Sequence, residues 1–98
     1  MRIRWTIWKD EFAAKIAGKH GVTADEVEEA LRAGPLFRRA ERGRVSGEDL
    51  YAAYGRSGNG RYLVIFFLLK AEDSALPISA RDRTDSERRY YATRTQRG

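Results

Sequence analysis

The sequence has no cysteine, one histidine, two prolines and one methionine in 98 residues. Without cysteine there is no disulfide scaffold, no thiolate metal site and no cysteine nucleophile. A lone histidine leaves no ligand set for a structural zinc centre, and no metal or cofactor is implied. The longest apolar run, Leu63 to Leu69, falls far short of the roughly 20 residues that span a bilayer. The opening Met1-Arg2-Ile3-Arg4-Trp5 lacks the apolar core of a secretory signal. The expectation is a cytoplasmic protein without membrane contact. Its length predicts a single domain over 1–98, with about two thirds of its unfolded surface buried around one modest core.

What the sequence does have is positive charge, and most of it is arginine. The chain carries 19 Lys+Arg against 14 Asp+Glu, a net of +5, and 15 of the 19 basic residues are arginine. The charge comes in blocks: residues 1–20, 35–62 and 80–98 each carry a net +3, whereas 21–34 carry −3. Arginine presents a planar fork that matches phosphate oxygens in pairs. Such a composition fits a nucleic-acid partner, and equally a solvated, charged surface.

Periodicity orders the chain. Residues 2–7 alternate polar and apolar, which predicts a half-buried strand with Ile3, Trp5 and Ile7 facing the core. A helix over about 10–19 follows, with Phe12, Ala13, Ile16 and Ala17 on its apolar stripe and Lys19-His20-Gly21 at its end. Thr23-Ala24-Asp25-Glu26 is a capping box opening a second helix, whose apolar face is Val27, Ala30 and Leu31 and which Gly34-Pro35 stops. The period then becomes two. Strands are predicted near 36–42 and at 50–54, then a glycine-rich hairpin turn over 55–60. The apolar run after the turn predicts a central strand buried on both faces, in which Phe66 and Phe67 are core, as is Trp5. A last strand should place Leu76, Ile78 and Ala80 on one face and Ser79 and Arg81 on the other. Thr84-Asp85-Ser86-Glu87 is a second capping box, opening a basic carboxy-terminal helix. The fold class is therefore α+β, in the order β-α-α-β-β-β-β-α. The expected architecture is a curved antiparallel sheet with the two early helices on one face, and the other face partly open with Arg81 projecting from it.

Three blocks, Lys19-His20-Gly21-Val22, Tyr54-Gly55-Arg56-Ser57 with Gly60-Arg61, and Ile78-Ser79-Ala80-Arg81 with Thr84, Glu87-Arg88-Arg89 and Tyr91, together resemble the BrnT family of bacterial type II toxins over nearly the whole chain. The resemblance implies a RelE-like fold and an endoribonuclease that blocks translation by cutting mRNA, free or on the ribosome. It also implies a cognate ribbon-helix-helix antitoxin and a heterotetramer of two toxins on an antitoxin dimer. The sequence departs from the family pattern at Lys9, Ile16, Leu50 and Arg83.

Metal-independent RNA cleavage needs cations to stabilise the phosphorane and one or two proton carriers. Among the candidate catalytic residues, His20 is the general acid or base, or else a cap on the last carbonyls of its helix. Arg81 clamps the scissile phosphate, or forms a surface ion pair with Asp82 or Asp85. Arg56 touches phosphate or is a solvated turn residue. Glu87 closes its capping box, and alternatively orients Arg81 or acts as a base. Tyr91, on the same helix face as Glu87, stacks on a base, assists proton transfer or packs on the sheet. Lys19, Arg61, Arg88 and Arg89 are candidate RNA-binding residues, with Arg61 also readable as an edge charge. Arg81, Arg83, Arg88, Arg89, Arg94 and Arg97 make a basic tail suited to an acidic antitoxin segment. Two other functions stay open: an RNA-binding or ribosome-binding module with weak catalysis, and an interaction protein serving only operon autoregulation with its antitoxin.

Overall fold

The structure, a computed structural model, describes residues 1–41, 43 and 48–95. Arg42, expected in the second strand, and Arg97, expected in the basic tail, lie outside the described residues. The elements are β1 (Trp5–Thr6), α1 (Asp10–His20), α2 (Ala24–Arg32), β2 (Leu36–Glu41), β3 (Leu50–Arg56), β4 (Tyr62–Lys70), a 3-10 turn (Ala71–Asp73), β5 (Ser74–Asp82) and α3 (Asp85–Thr95). The fold is α+β with one mixed five-stranded sheet in the order β1-β5-β4-β3-β2.

Local chemistry sets the helix ends. α1 begins with Asp10 and Glu11 and ends with Lys19 and His20, so both termini complement the helix dipole. Gly21 stops it in the left-handed conformation at φ 63°, donating its N–H to the Ala17 carbonyl. Thr23 and Glu26 form the reciprocal capping box of α2, with Glu26 N–H on Thr23 Oγ1 at 3.1 Å and Thr23 N–H on Glu26 Oε1 at 3.0 Å.

Both early helices lie on one face of the sheet. Ile16, Val27, Ala30 and Leu31 pack with Ala53, Leu63, Ile65, Phe67 and Ala80 to form the main core. The approach of α2 to β3 is close enough to require glycine at 55, where a Cβ would sit 2.7 Å from the Ala30 carbonyl oxygen. The opposite face carries a smaller cluster of Ala52, Tyr54 and Val64, and Tyr90 and Tyr91 of α3 pack against it.

The structure corrects the sequence reading in several places. The hairpin series β2 to β5 is antiparallel as expected, but β1 runs parallel to β5 through Trp5↔Ser74 and Thr6↔Ala75. It pairs for only two residues at the sheet edge. Ile3 is therefore buried, while Trp5 is 59% and Ile7 40% exposed; Trp8 packs on the core instead and donates to Glu28 at 3.1 Å. Ala17 is exposed rather than part of a buried stripe. Phe67 is fully buried, whereas Phe66 is half-buried on the α3 face. In β5 the pairing shifts from Phe66↔Ser79 to Phe67↔Pro77, so Ile78 is the extra residue of a bulge. The bulge puts Leu76 and Ala80 on opposite faces, which breaks the alternation read from sequence. Pro77 sits beside it, where a strand proline is tolerated.

Candidate functional site

The α3 face is built from transverse rows of the sheet. Paired residues share a face, so Leu36, Tyr54, Val64 and Arg81 form one row across β2 to β5. Tyr62 and Phe66 flank it on β4, and Arg56 stands opposite Tyr62. Arg81 reaches this face on the alternation expected from sequence, paired with Val64; what the bulge at Ile78 changes is Leu76, which it turns onto the same face.

Arg81 is held rather than free. Its Nη1 and Nη2 donate to Oε1 and Oε2 of Glu87 at 2.7 and 2.9 Å, and Nη1 also reaches the Asp82 carbonyl at 3.2 Å. Its guanidinium lies 5.7 Å from the Phe66 ring centre. The partner is thus Glu87, not the Asp82 or Asp85 carboxylate. Glu87 also caps α3: it accepts from Thr84 N–H at 2.8 Å, and its own N–H donates to Thr84 Oγ1 at 3.2 Å. The hydrogen bonds from Arg81, reinforced by the Thr84 N–H, pull the Glu87 carboxyl down to about 2. A carboxylate that acidic is a poor proton acceptor at neutral pH. Of the readings weighed from sequence, the cap and the orienting of Arg81 fit this geometry, and the base does not. The same pairing raises the Arg81 guanidinium above its usual range.

Around this pair stand arginines and tyrosines. Arg38 donates Nε and Nη2 to Tyr54 Oη at 3.3 and 3.2 Å and lies 5.9 Å from the Tyr90 ring centre. Arg94 covers the same ring at 5.0 Å, and Tyr54 and Tyr90 lie 5.3 Å apart in a tilted pair. Arg56 and Arg88 approach Tyr62 at 5.1 and 4.5 Å. Arg83 is buried between Tyr62, at 5.1 Å, and Tyr91, at 4.4 Å, and donates to the Leu63 and Gly55 carbonyls. Burial lowers its pKa.

Other candidates lie elsewhere. His20 ends α1, in the layer on the opposite face of the sheet from Arg81, and its carbonyl accepts from Arg61 Nη2 at 3.5 Å. Lys19 is exposed beside it. The structure therefore does not bring His20 and Arg81 together. Arg61 is engaged within the protein: it donates to Asp82 at 3.2 and 3.1 Å, to Glu26 at 3.1 Å and to the Gly21 carbonyl at 2.9 Å. It joins the end of α1, the start of α2 and the end of β5, and the Asp82 bond is the main cause of its raised pKa. Arg56 is the last residue of β3 rather than part of the turn. Arg89 is exposed and donates to Ser86 Oγ at 3.3 Å.

Sequence reasoning missed Arg38, Tyr54, Tyr62 and Tyr90 as parts of one surface. Hairpin register would have paired Arg56 with Tyr62, a usable signal. Nothing local marks Arg83 for burial. A separate groove of about 650 Å³ lies between the amino-terminal segment and the α2–β2 connection, lined by Met1, Arg4, Trp5, Leu31, Pro35 and Phe37 among others. It has no carboxylate, tyrosine or histidine. Among the described residues no group of three or more His, Asp or Glu is placed to hold a metal, and no helix is long and apolar enough to cross a membrane. No protein-family model matches the sequence, and a search of curated proteins finds no match.

Proposed function

We propose that this protein is an RNA-directed toxin resembling the BrnT family, with a RelE-like arrangement of its α+β fold, that cuts RNA on the α3 face without a metal. One observation carries the reading: five arginines (Arg38, Arg56, Arg83, Arg88, Arg94) meet four tyrosines on one face, beside Arg81, which lies over Phe66 and is fixed by a two-pronged carboxylate grip. Guanidinium groups bind the phosphate backbone, and tyrosine rings stack on splayed bases. Arg81 stabilises the charge that develops as the 2′-hydroxyl loses its proton and its oxygen attacks the adjacent phosphorus; the P–O5′ bond breaks, leaving a 2′,3′-cyclic phosphate and a 5′-oxygen that takes up a proton. Glu87 is its positioning residue. Tyr62, Tyr90 and Tyr91 bring further hydroxyl groups to this face, whereas Tyr54 is buried and its hydroxyl accepts from Arg38. An acidic antitoxin of ribbon-helix-helix type covers the same surface and silences it.

The test is cleavage of labelled single-stranded RNA by the protein and by Arg81→Ala, each with EDTA present. Cleavage that survives EDTA and falls by at least about a hundredfold in Arg81→Ala, as loss of an electrostatic stabiliser does, supports the proposal. Cleavage abolished by EDTA, or unchanged in the variant, sinks it. The separation of His20 from Arg81 favours a second reading, an RNA-binding module without cleavage. That reading predicts tight, salt-dependent binding and uncut RNA.

A further inference from the structure

Tyr62 is the meeting point of three guanidinium groups from three different parts of the chain. Arg56 reaches it from the paired strand at 5.1 Å, Arg88 from α3 at 4.5 Å, and Arg83 from beneath at 5.1 Å. Arg56 and Arg88 are exposed, while Arg83 is only 7% exposed. Among the described residues no carboxylate forms an ion pair with any of the three. The acid that acts on Arg83 from nearby, Glu87, is already engaged by Arg81. Arg83 spends its hydrogen bonds on two carbonyls, so its charge is solvated but not cancelled. Arg83 is poorly solvated, so the like charge of Arg88 beside it repels it. An anion among them relieves that repulsion, and paired guanidinium forks match the oxygens of a phosphate.

Position fixes which phosphate. Tyr62 and Val64 are two residues apart on β4 and share a face, and Val64 is the partner of Arg81. At roughly 3.3 Å per residue the two sites stand about 7 Å apart along the strand, which is the reach of one nucleotide in an extended single strand. We infer that Arg56, Arg83 and Arg88 around Tyr62 form a phosphate-binding subsite that holds the phosphodiester next to the one at Arg81. Its assignment to RNA rests on the function proposed above; its affinity for phosphate does not.

Arg56 and Arg88 are exposed, so replacing both by glutamine leaves the core intact, and a cooperative unfolding curve checks this. Two probes are titrated against the protein and against the double variant Arg56→Gln/Arg88→Gln: inorganic pyrophosphate, and a single-stranded hexaribonucleotide over a range of salt. The expected result is pyrophosphate binding weakened about tenfold or more, as loss of a charged hydrogen bond implies. The salt slope for RNA should fall by about 0.7 for each phosphate that the variant no longer neutralises. Unchanged pyrophosphate affinity together with an unchanged slope overturns the subsite, even if the protein still binds RNA. Pyrophosphate binding that depends on these arginines, in a protein that binds no RNA, keeps the subsite and overturns the RNA reading. An oligoglutamate peptide that binds here while pyrophosphate does not overturns the subsite in favour of an acidic protein partner.

Discussion

Glu87 serves two neighbours at once, capping α3 through Thr84 and gripping Arg81. Its carboxyl titrates near 2 in the folded protein against an ordinary 4.5. A depressed carboxyl adds stability that is fully present above the unfolded value and is lost as pH falls towards the folded one. Glu87 therefore stabilises the fold above about pH 5, and that contribution fades between there and pH 2. Its side chain is 20% exposed, so after allowance for solvent screening the effect is on the order of 2 kcal/mol. Glu87→Gln should lower the urea midpoint at pH 7 and flatten the decline between pH 5 and pH 3. Glu26, also depressed, chiefly by the Thr23 N–H, leaves part of the slope in place. If the variant and the parent decline in parallel, the Arg81–Glu87 pair is weaker in solution than its distances indicate. In cleavage assays Glu87→Gln should retain more activity than Arg81→Ala, because it loosens the arginine without removing it.

At the scale of elements, short-range features are legible in the sequence and long-range ones are not. The Thr23–Glu26 and Thr84–Glu87 boxes and the Gly21 cap can be read directly, since each joins residues within four positions of one another. The bulge at Ile78 cannot, because it depends on the register between β4 and β5. Nor can the parallel pairing of β1, which joins residues 5 and 74. These two features expose Trp5 and place Ala80 on the face opposite Leu76. Gly55 measures how tightly α2 meets β3. Gly55→Ala puts a methyl 2.7 Å from the Ala30 carbonyl, so it should destabilise the fold by about 1–3 kcal/mol. Thr23→Ala removes one cap and should cost about 1 kcal/mol. Thermal unfolding of the two variants checks both, and a Gly55→Ala protein as stable as the parent would contradict the packing described.

Seen whole, the molecule divides its charge unevenly. On the face that holds the main core the basic block at 1–20, which includes α1, offsets the acidic block at 21–34, which is α2 and its flanks, while the basic blocks at 35–62 and 80–98 supply the arginines of the α3 face. That division is visible in the charge blocks. What they do not show is that His20 and Arg81, two of the sequence-level catalytic candidates, fall on opposite sides of the sheet. The side chain of a helix-ending histidine cannot be placed on a layer until the helix is docked. If RNA lies across the arginine–tyrosine face, arginine Nε–H and tyrosine ring signals in NMR spectra will report it during titration with single-stranded RNA. Shifts are expected at Arg38, Arg56, Arg81 and Arg88 and at Tyr62 and Tyr90, with His20 and Lys19 unmoved. Shifts confined to Lys19, His20 and the α1–α2 layer would contradict it.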